Sequence, residues 1–345
     1  MERFLAGAGD AALAFATIDL PDPAGFGRVR RDAKGRVAAV VEAKDLPPDE
    51  KEGPAEVNAG LYCLDLAAVE PLLSRLGTDN ASREYYLTDL IGLAAKAGLS
   101  VLGVRLGRED SLLGVNTAAE LAAAEELLRR RVVSGWLTRG VVVRQPESVV
   151  AGPRVAVAPG AEISGPTRIF GRTIIGRARI GAFTFILESS IADGAEVREF
   201  SHLEGAEVGS GCVVGPFARL RPGAVLKARA RVGNFVEMKK SVLGEGAKAN
   251  HLTYLGDAEV GADANIGAGT ITCNYDGRKK HKTTIGERAF IGSNTALVAP
   301  VTVGPGAVVW AGSTVTQDVP AGELALARAR QVNLKPRKSR KKSTP

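Results

Sequence analysis

Aromatic residues make up only 5% of the 345-residue sequence, and its three cysteines, Cys63, Cys212 and Cys273, form no CxxC pair. Thiols so few and so widely spaced exclude a disulfide framework and favour a reduced, cytoplasmic protein. No apolar run approaches the roughly 20 residues of a membrane-spanning helix, and Asp10 interrupts the apolar stretch near the N terminus. We therefore expect neither a signal peptide nor a membrane partner.

Acidic residues are too few to balance the basic ones, and the net charge of +7 is concentrated at the C terminus. Six cationic residues lie among the last eleven: Lys335, Arg337, Lys338, Arg340, Lys341 and Lys342. No aromatic residue accompanies them, so a solvated end is favoured over a segment that binds nucleic acid or an acidic membrane. We expect no nucleic-acid partner.

Glycine, in contrast, is frequent, with 41 residues, and aliphatic residues recur at every sixth position. The recurring residues are Ile285, Ile291, Leu297, Val303, Val309 and Val315, and before them Val208, Val214, Leu220, Leu226, Val232 and Met238. This period predicts an all-β parallel β-helix, whose tight corners suit glycine and whose narrow core suits aliphatic side chains. The repeats cover residues 150–320, or about nine coils of three six-residue sides.

Residues 1–115 have the mixed pattern of an α/β domain. Strands are predicted at 11–19, 36–42, 57–66 and 101–106. A helix is predicted from Ser82 to Lys96, and a capping box of Thr117 and Glu120 begins a second helix that continues to about Val133. We interpret residues 116–149 as this linker helix and a connection, and residues 321–345 as a C-terminal segment with the basic tail.

The six-residue step fails twice, because neither the interval from Met238 to Val260 nor the interval from Thr272 to Ile285 is a multiple of six. Both irregular segments are rich in polar and ionisable residues, which are Lys239, Lys240, His251 and Tyr254 in the first and Asn274, Tyr275, Asp276, Lys280, His281 and Lys282 in the second. Because loops on a rigid scaffold commonly carry functional residues, these two segments are the predicted site.

A phosphate-binding pair is predicted at Arg221 and Lys239, which are separated by three hexapeptides, or one full turn of a three-sided coil. Stacked cations bind a phosphate group through a forked guanidinium and an ammonium. Arg219 and Lys240 are their neighbours, and Glu237 is the only acid close in sequence. Solvated surface charges are the alternative interpretation.

His251 is the candidate general base, because imidazole titrates near neutral pH and so accepts a proton from an attacking amine. Glu237 is the residue predicted to orient its ring, and a purely structural histidine is the alternative. Cys273 offers a rival chemistry in which the thiol becomes acylated, although an inert, buried cysteine fits better. A zinc site is disfavoured, because the intervals between His202, His251 and His281 are not whole turns of three hexapeptides, so these residues should not align.

Four motifs together identify a family. They are GPFARLRPG (215–223), VGNFVEMKK (232–240), HLTYLGD (251–257) and NIGAGTITCNYDG (265–277). They closely resemble the bacterial bifunctional enzyme of UDP-N-acetylglucosamine synthesis, which is an N-acetylglucosamine-1-phosphate uridyltransferase and a glucosamine-1-phosphate N-acetyltransferase in one chain. The resemblance covers nearly the whole sequence and is most specific over residues 208–317.

The resemblance implies a left-handed β-helix, a homotrimer with active sites between subunits, and acetyl-CoA as co-substrate. It implies that His251 deprotonates the amine of glucosamine 1-phosphate, which attacks the thioester directly. The implied substrate-binding residues are Arg221, Lys239, Tyr254, Asn265 and Lys280. The implied acetyl-CoA-binding residues are Ala268, Asn274, Tyr275, Ser293, Ala311 and Arg328.

The N-terminal domain resembles only the later part of a Rossmann-like uridyltransferase domain. Gly27, Glu42, Asn58 and Asn116 lie in segments similar to those that bind the uridine nucleotide, the sugar and Mg²⁺. The glycine-rich phosphate loop is missing from the sequence, and so is the aspartate that would share Mg²⁺ with Asn116. Because positioning and Mg²⁺ do nearly all the work of phosphoryl transfer, uridyltransferase activity is predicted to be lost or crippled.

The predicted function is therefore acetyl transfer to glucosamine 1-phosphate, giving N-acetylglucosamine 1-phosphate for the UDP-N-acetylglucosamine used in peptidoglycan and lipopolysaccharide. Two alternatives stay open. One is that the sequence is a shortened reading of a fully bifunctional enzyme that also uses UTP. The other is a non-catalytic β-helix scaffold or sugar-nucleotide sensor.

Overall fold

A computed structural model describes residues 1–23 and 25–334, so the predicted basic tail lies outside the described residues. The chain divides into two compact units, the first ending at Leu127 and the second beginning at Leu128. Within the described ranges, no helix is long and apolar enough to cross a membrane. Each unit is described by itself below.

The first unit is a mixed α/β domain. Its elements are α1 (Glu2–Ala8), β1 (Leu13–Leu20), β2 (Arg28–Arg31), β3 (Val37–Val41), β4 (Ala55–Leu64), α2 (Leu66–Leu73), α3 (Asp89–Lys96) and β5 (Val101–Arg105), with 3-10 turns at Ala43–Asp45, Pro48–Glu50 and Asp110–Leu112. The sheet order is β3-β2-β4-β1-β5. Of these pairs only β1 and β5 run parallel, and the others are antiparallel. All four predicted strands are confirmed.

The predicted helix start at Ser82 is wrong, because α3 begins only at Asp89. Arg83 has a φ of 55°, in the left-handed region that a helix excludes. The side chain of Asn80 also holds Glu84 in a turn, accepting from its backbone N–H at 3.2 Å and donating to its carbonyl at 2.6 Å. Local side-chain bonds of this kind compete with helix formation.

The predicted capping box is confirmed at the start of α4 (Ala118–Thr138). The backbone N–H of Glu120 donates to the Thr117 hydroxyl at 3.1 Å, and the Thr117 N–H donates back to the Glu120 carboxylate at 2.8 Å. These bonds satisfy donors that the first turn of a helix leaves open. The helix continues past the predicted end at Val133, where Val133 and Trp136 are buried.

The second unit is a left-handed parallel β-helix. Nineteen strands form one continuous sheet: β6 (Val142–Arg144), β7 (Val149–Ala151), β9 (Glu162–Ser164), β10 (Thr167–Phe170), β12 (Arg179–Ile180), β13 (Thr184–Leu187), β15 (Glu196–Val197), β16 (His202–Glu204), β18 (Val213–Val214), β19 (Arg219–Leu220), β21 (Arg231–Lys239), β23 (Lys248–Gly256), β25 (Asn265–Ile266), β26 (Ile271–Cys273), β28 (Phe290–Ile291), β29 (Ala296–Val298), β31 (Val308–Val309), β32 (Thr314–Val315) and β33 (Leu324–Ala325). Nine form the other: β8 (Ala156–Val157), β11 (Ile174–Ile175), β14 (Ser190–Ile191), β17 (Glu207–Val208), β20 (Ala224–Leu226), β22 (Ser241–Leu243), β24 (Ala258–Val260), β27 (Thr283–Ile285) and β30 (Val301–Val303). A 3-10 turn lies at Pro146–Ser148.

Each turn of the β-helix takes one strand from the small sheet. From the large sheet it takes either two short strands or one long strand that covers two sides, as β21 and β23 do, which gives the predicted three sides. The hexapeptide columns point inward: Ile285, Ile291, Leu297, Val303, Val309 and Val315 are all at most 4% exposed. The strands begin at Val142 and end at Ala325, so the described solenoid is longer at both ends than the predicted 150–320. The narrow core is filled by aliphatic side chains, as the scarcity of aromatics indicates.

The strand register corrects one of the two predicted breaks. Across the first, the pairing is unbroken, with Arg231 opposite Lys248 at one end and Lys239 opposite Gly256 at the other. The six-residue count fails there because two successive coils, which pair Leu226 with Leu243 and Leu243 with Val260, are each one residue shorter than three hexapeptides, and no loop is inserted. The second break is confirmed: Glu259 pairs with Thr284, a step well beyond one regular coil that includes an inserted loop.

Candidate active site

Three cations come together on the wall of the β-helix. Pairing of Arg219 with Glu237 places Arg221 beside Lys239 on the next coil, as their spacing predicts. The inserted loop brings Lys280 into contact with Lys239. This contact, followed by the nearby charge of Arg221, lowers the pKa of Lys239. Like charges this close oppose one another, so an anion of phosphate type would relieve the repulsion.

Glu237 does not orient His251, contrary to the sequence prediction. Its carboxylate accepts a hydrogen bond from Arg221 at 2.8 Å and lies 3.9 Å from Arg219. In the strand register Glu237 stands opposite Tyr254, three positions along from His251. Glu237 therefore holds the two arginines, and it shares the column of Tyr254.

The ring of His251 is held by Asn234, which sequence reasoning missed. His251 lies on β23 and is exposed, and its Nδ1 is 3.0 Å from Asn234 Oδ1. The two residues stand opposite each other in the pairing of β21 with β23. Their separation in sequence was the available signal, but it is one short of three full hexapeptides, so the assumption of a regular coil concealed it.

The residues implied for acetyl-CoA continue the column of His251 along one corner of the solenoid. The register carries this corner from His251 to Ala268, then across the inserted loop to Ser293 and on to Ala311. Backbone hydrogen bonds of 2.7 to 2.8 Å link each corner to the next. The candidate base therefore lies at one end of a straight column of corner residues, along which a long ligand could bind.

Arg328 closes the lower end of this column. Its Nη1 donates to the carbonyl of Ala311 at 2.9 Å, and its guanidinium carbon lies 5.9 Å from the centre of the Trp310 ring. Trp310 is another residue that sequence reasoning missed. Stacking on an aromatic face limits the orientations of a guanidinium and leaves its remaining N–H groups available.

Asn274 and Tyr275 begin the inserted loop. Asn274 is 8% exposed, and its amide nitrogen donates to Asp257 across the coil boundary. Tyr275 forms a β-bridge with Lys280, and its side chain is 60% exposed. Asn265, which the resemblance places with the substrate, lies on β25 and stands opposite Lys248.

The loop also fixes His281, whose Nε2 lies 2.7 Å from Asp276 Oδ2. Backbone N–H bonds from Lys279, and then the contact with His281, hold the pKa of Asp276 well below its usual range. The three histidines have different neighbours: His202 stacks on Phe185 and His251 contacts Asn234, whereas His281 contacts Asp276. In residues 1–23 and 25–334, no group of three His, Cys, Asp or Glu side chains is arranged to hold a metal ion.

Three of the four predicted nucleotide residues meet in the first unit. A Cβ on Gly27 would lie 2.9 Å from the Val40 side chain and 3.3 Å from the Glu42 carboxylate, so a larger residue there would displace both side chains. The backbone N–H of Asn58 donates to the Gly27 carbonyl at 2.9 Å. Asn116 lies instead at the start of α4, where its N–H donates to Glu120 at 2.7 Å.

Side chains of the first unit already satisfy these groups. Thr88 donates to Glu42 at 2.7 Å, and the Asn58 amide donates to the Tyr62 hydroxyl at 2.8 Å. Burial raises the pKa of Tyr62 to about 12, and the Glu42 carboxylate adds to that rise. Neither Tyr62 nor Thr88 was identified from the sequence.

Comparison with known proteins decides the family. The chain is 58% identical to the bifunctional protein GlmU of Nitratidesulfovibrio vulgaris strain DP4 over 342 residues, covering 98% of this chain and 74% of the relative. The bifunctional protein GlmU of Pseudomonas putida is 47% identical over 335 residues, covering 97% and 73%. The chain belongs to the GlmU family. The GlmU relatives match both units described above.

Within this GlmU-family chain, residues 282–317 match the family described as bacterial transferase hexapeptide (six repeats). Among solved structures, UDP-N-acetylglucosamine acyltransferase of Francisella novicida is 15% identical with a TM-score of 0.36, covering 55% of this chain and 65% of that one. A TM-score of this size adds nothing about activity. The hexapeptide match coincides with the coils that carry Ser293 and Ala311.

Proposed function

We propose that this GlmU-family chain is a glucosamine-1-phosphate N-acetyltransferase that uses acetyl-CoA as its acetyl donor. One observation carries the proposal: a histidine at the top of a straight column of small residues, on the same strand pair that carries the cationic residue Lys239. The cations suit the phosphate of an amino-sugar phosphate, and the column suits a long thioester. The product, N-acetylglucosamine 1-phosphate, serves UDP-N-acetylglucosamine synthesis for the cell wall.

The chemical step needs one base and no covalent enzyme intermediate. The amine nitrogen of the sugar attacks the thioester carbonyl carbon, Nε2 of His251 takes the amine proton, and the C–S bond then breaks. The imidazolium returns the proton to the departing coenzyme A thiolate. General base catalysis of this kind contributes about 10²- to 10⁴-fold.

The sugar phosphate is assigned to Arg221, Lys239 and Lys280. Glu237 has a different role from the one predicted from the sequence. Because its carboxylate is bound to Arg221, it fixes the guanidinium plane against which the phosphate would lie. Tyr254 shares the column of Glu237 and faces the same ligand.

Acetyl-CoA is assigned to the corner of Ala268, Ser293 and Ala311. Small residues there let the backbone approach the pantetheine arm closely. Arg328, stacked on Trp310, would contact the coenzyme phosphates. Asn274 and Tyr275 would lie beside the reacting acetyl group.

A homotrimer is proposed on the basis of an exposed ladder of aromatic rings. Phe183, Phe200, Phe217 and Phe235 stack along one corner with centroids 4.8, 4.8 and 5.4 Å apart, each 46–58% exposed. All four have φ near 58°, where a side chain costs roughly 1 kcal/mol or more. Contact between subunits would offset that cost.

Sedimentation should find a trimer of the wild-type protein. Phe217→Asp places a charge in the proposed interface and should therefore weaken the trimer. A wild-type monomer would contradict the proposed homotrimer.

Uridyl transfer by these 345 residues alone is proposed to be lost or crippled, because they include no glycine-rich phosphate loop and no aspartate partner for Asn116. Mg²⁺ would act in that half alone. A cytoplasmic location remains a prediction from the three free cysteines.

Two assays on one sample test the proposal. Loss of the free amine of glucosamine 1-phosphate should require acetyl-CoA and release one thiol per amine consumed. UTP-dependent pyrophosphate release should stay at background. Absence of thiol release would contradict the acetyltransferase proposal, and pyrophosphate release would contradict the loss of uridyl transfer.

A further inference from the structure

The contact between Asn234 and His251 is built into the backbone on both sides. β21 and β23 pair without interruption through this corner. Gly233, next to Asn234, is so close to the following coil that a Cβ there would lie 1.9 Å from the Asn250 carbonyl oxygen. Only glycine permits this approach, so the separation of the two backbones that carry Asn234 and His251 is fixed by the wall itself.

The chemistry of the contact selects one form of the ring. An amide oxygen only accepts hydrogen bonds, so Nδ1 must carry the hydrogen, and the lone pair of a neutral imidazole then lies on Nε2. We propose that Asn234 is the positioning residue of the base: its amide oxygen selects the Nδ1–H tautomer of His251 and leaves Nε2 to accept the amine proton. This inference rests on the proposed acetyltransferase function.

An amide suits the task better than a carboxylate. A carboxylate at the same point would stabilise the imidazolium and slow the return of the proton to the leaving thiolate. The cavity of about 440 Å³ shared by Asn234 and His251 is also lined by Glu196, Arg198 and Arg231. Glu196 accepts a hydrogen bond from Arg198 at 3.3 Å, so the acid in this cavity is engaged by a neighbouring cation.

Two substitutions separate positioning from simple packing. Asn234→Leu keeps a similar volume and removes the acceptor, so kcat should fall about 10- to 100-fold, the usual effect of losing a residue that orients a functional histidine. The KM for glucosamine 1-phosphate should hardly change. Asn234→Asp keeps the acceptor and adds charge, so the acidic limb of the kcat/KM profile should move to higher pH while kcat is largely kept at high pH.

Glu237→Gln is the matched contrast, because the sequence alone suggested Glu237 as the orienting group. The structure places it on Arg221, so this variant should raise the KM for glucosamine 1-phosphate and leave the acidic limb in place. An unmoved limb in Asn234→Asp, or a kcat within twofold of wild type in Asn234→Leu, would overturn the assignment. Thermal unfolding of each variant checks that the fold persists, and sedimentation checks that the oligomeric state is that of the wild type.

A readout independent of turnover is available because the chain has only three histidines. Nitrogen-15 NMR of the ring nitrogens, with His251→Ala to assign the signals, should show hydrogen on Nδ1 of His251 in the wild type. Asn234→Leu should give a mixture of tautomers. Hydrogen on Nε2 in the wild type would reject the inference. If wild-type protein fails to acetylate, the proposed function fails, and this measurement still tests the contact by itself.

Discussion

The two units hold their polar groups in opposite ways. In the first unit, Glu42 and Asn58 are satisfied by neighbouring side chains of the same unit. In the β-helix, Lys239 is crowded by Lys280 and Arg221, and its pKa falls as a result. A polar cluster that is satisfied internally needs no ligand, whereas two lysines in contact, Lys239 and Lys280, are stabilised by binding an anion. Catalysis should therefore depend on residues of the β-helix.

The largest expected effect is at His251. His251→Ala removes the proton acceptor, so acetyl transfer should fall by about 10²- to 10⁴-fold while the unfolding temperature stays near that of the wild type. Steady-state thiol release measures the loss. His202→Ala is the matched control, since His202 stacks on Phe185 outside the site, and it should stay within about twofold. Equal losses in both variants would remove His251 from its role.

The next largest effect concerns the cations. Lys239→Ala removes a charged donor from the proposed phosphate site, so the KM for glucosamine 1-phosphate should rise about 10- to 100-fold. Lys227→Ala, an exposed lysine elsewhere on the solenoid, is the control. If the two variants have the same KM, the cation cluster does not bind the phosphate.

The pH dependence of this KM sharpens the comparison further. The pKa of Lys239 is lowered, first by the contact with Lys280, so its charge is present at low pH and is lost as pH rises through the lowered value. The KM of the wild type should therefore begin to rise at a lower pH than it would if Lys239 had the pKa of an ordinary lysine. In Lys239→Arg, the rise in KM should begin at a higher pH. A rise unaffected by Lys239→Arg would contradict the assignment.

A smaller effect is expected at the end of the coenzyme column. Arg328→Ala removes a guanidinium held over Trp310, and the KM for acetyl-CoA should rise about 3- to 10-fold while the KM for the sugar stays constant. Trp310→Ala should give a weaker form of the same change. A rise in the sugar KM alone would place Arg328 in the other half of the site.

The smallest effect is expected at Cys273. Direct transfer from acetyl-CoA makes the thiol unnecessary, so Cys273→Ala should stay within about twofold of the wild type. Mass spectrometry after mixing with acetyl-CoA should find no acetylated Cys273. An inactive variant together with an acetylated thiol would favour an acyl-enzyme route.

Much of the fold could be predicted from the sequence because a six-residue period fixes which side chains face the core. The same count failed between Met238 and Val260, since two successive coils that are each one residue short still pair their strands. The α3 start was missed because the turn bonds of Asn80 overrode a helix-like composition.

The candidate site was predictable where it depended on spacing along the solenoid, as with Arg221 and Lys239. It was not predictable where it depended on the direction of a side chain. Whether the Glu237 side chain contacts His251 or Arg221 depends on where the corner of the coil falls between Glu237 and His251. The hexapeptide pattern does not show the position of that corner. Asn234 was missed for another reason, since its separation from His251 is one residue short of three hexapeptides.

The most direct test of the central claim is a crystal structure with glucosamine 1-phosphate and coenzyme A bound. The sugar nitrogen should lie within hydrogen-bond distance of Nε2 of His251, directly or through one water, with the phosphate against Arg221 and Lys239. A ring turned away from that nitrogen, with no water between them, would contradict the mechanism.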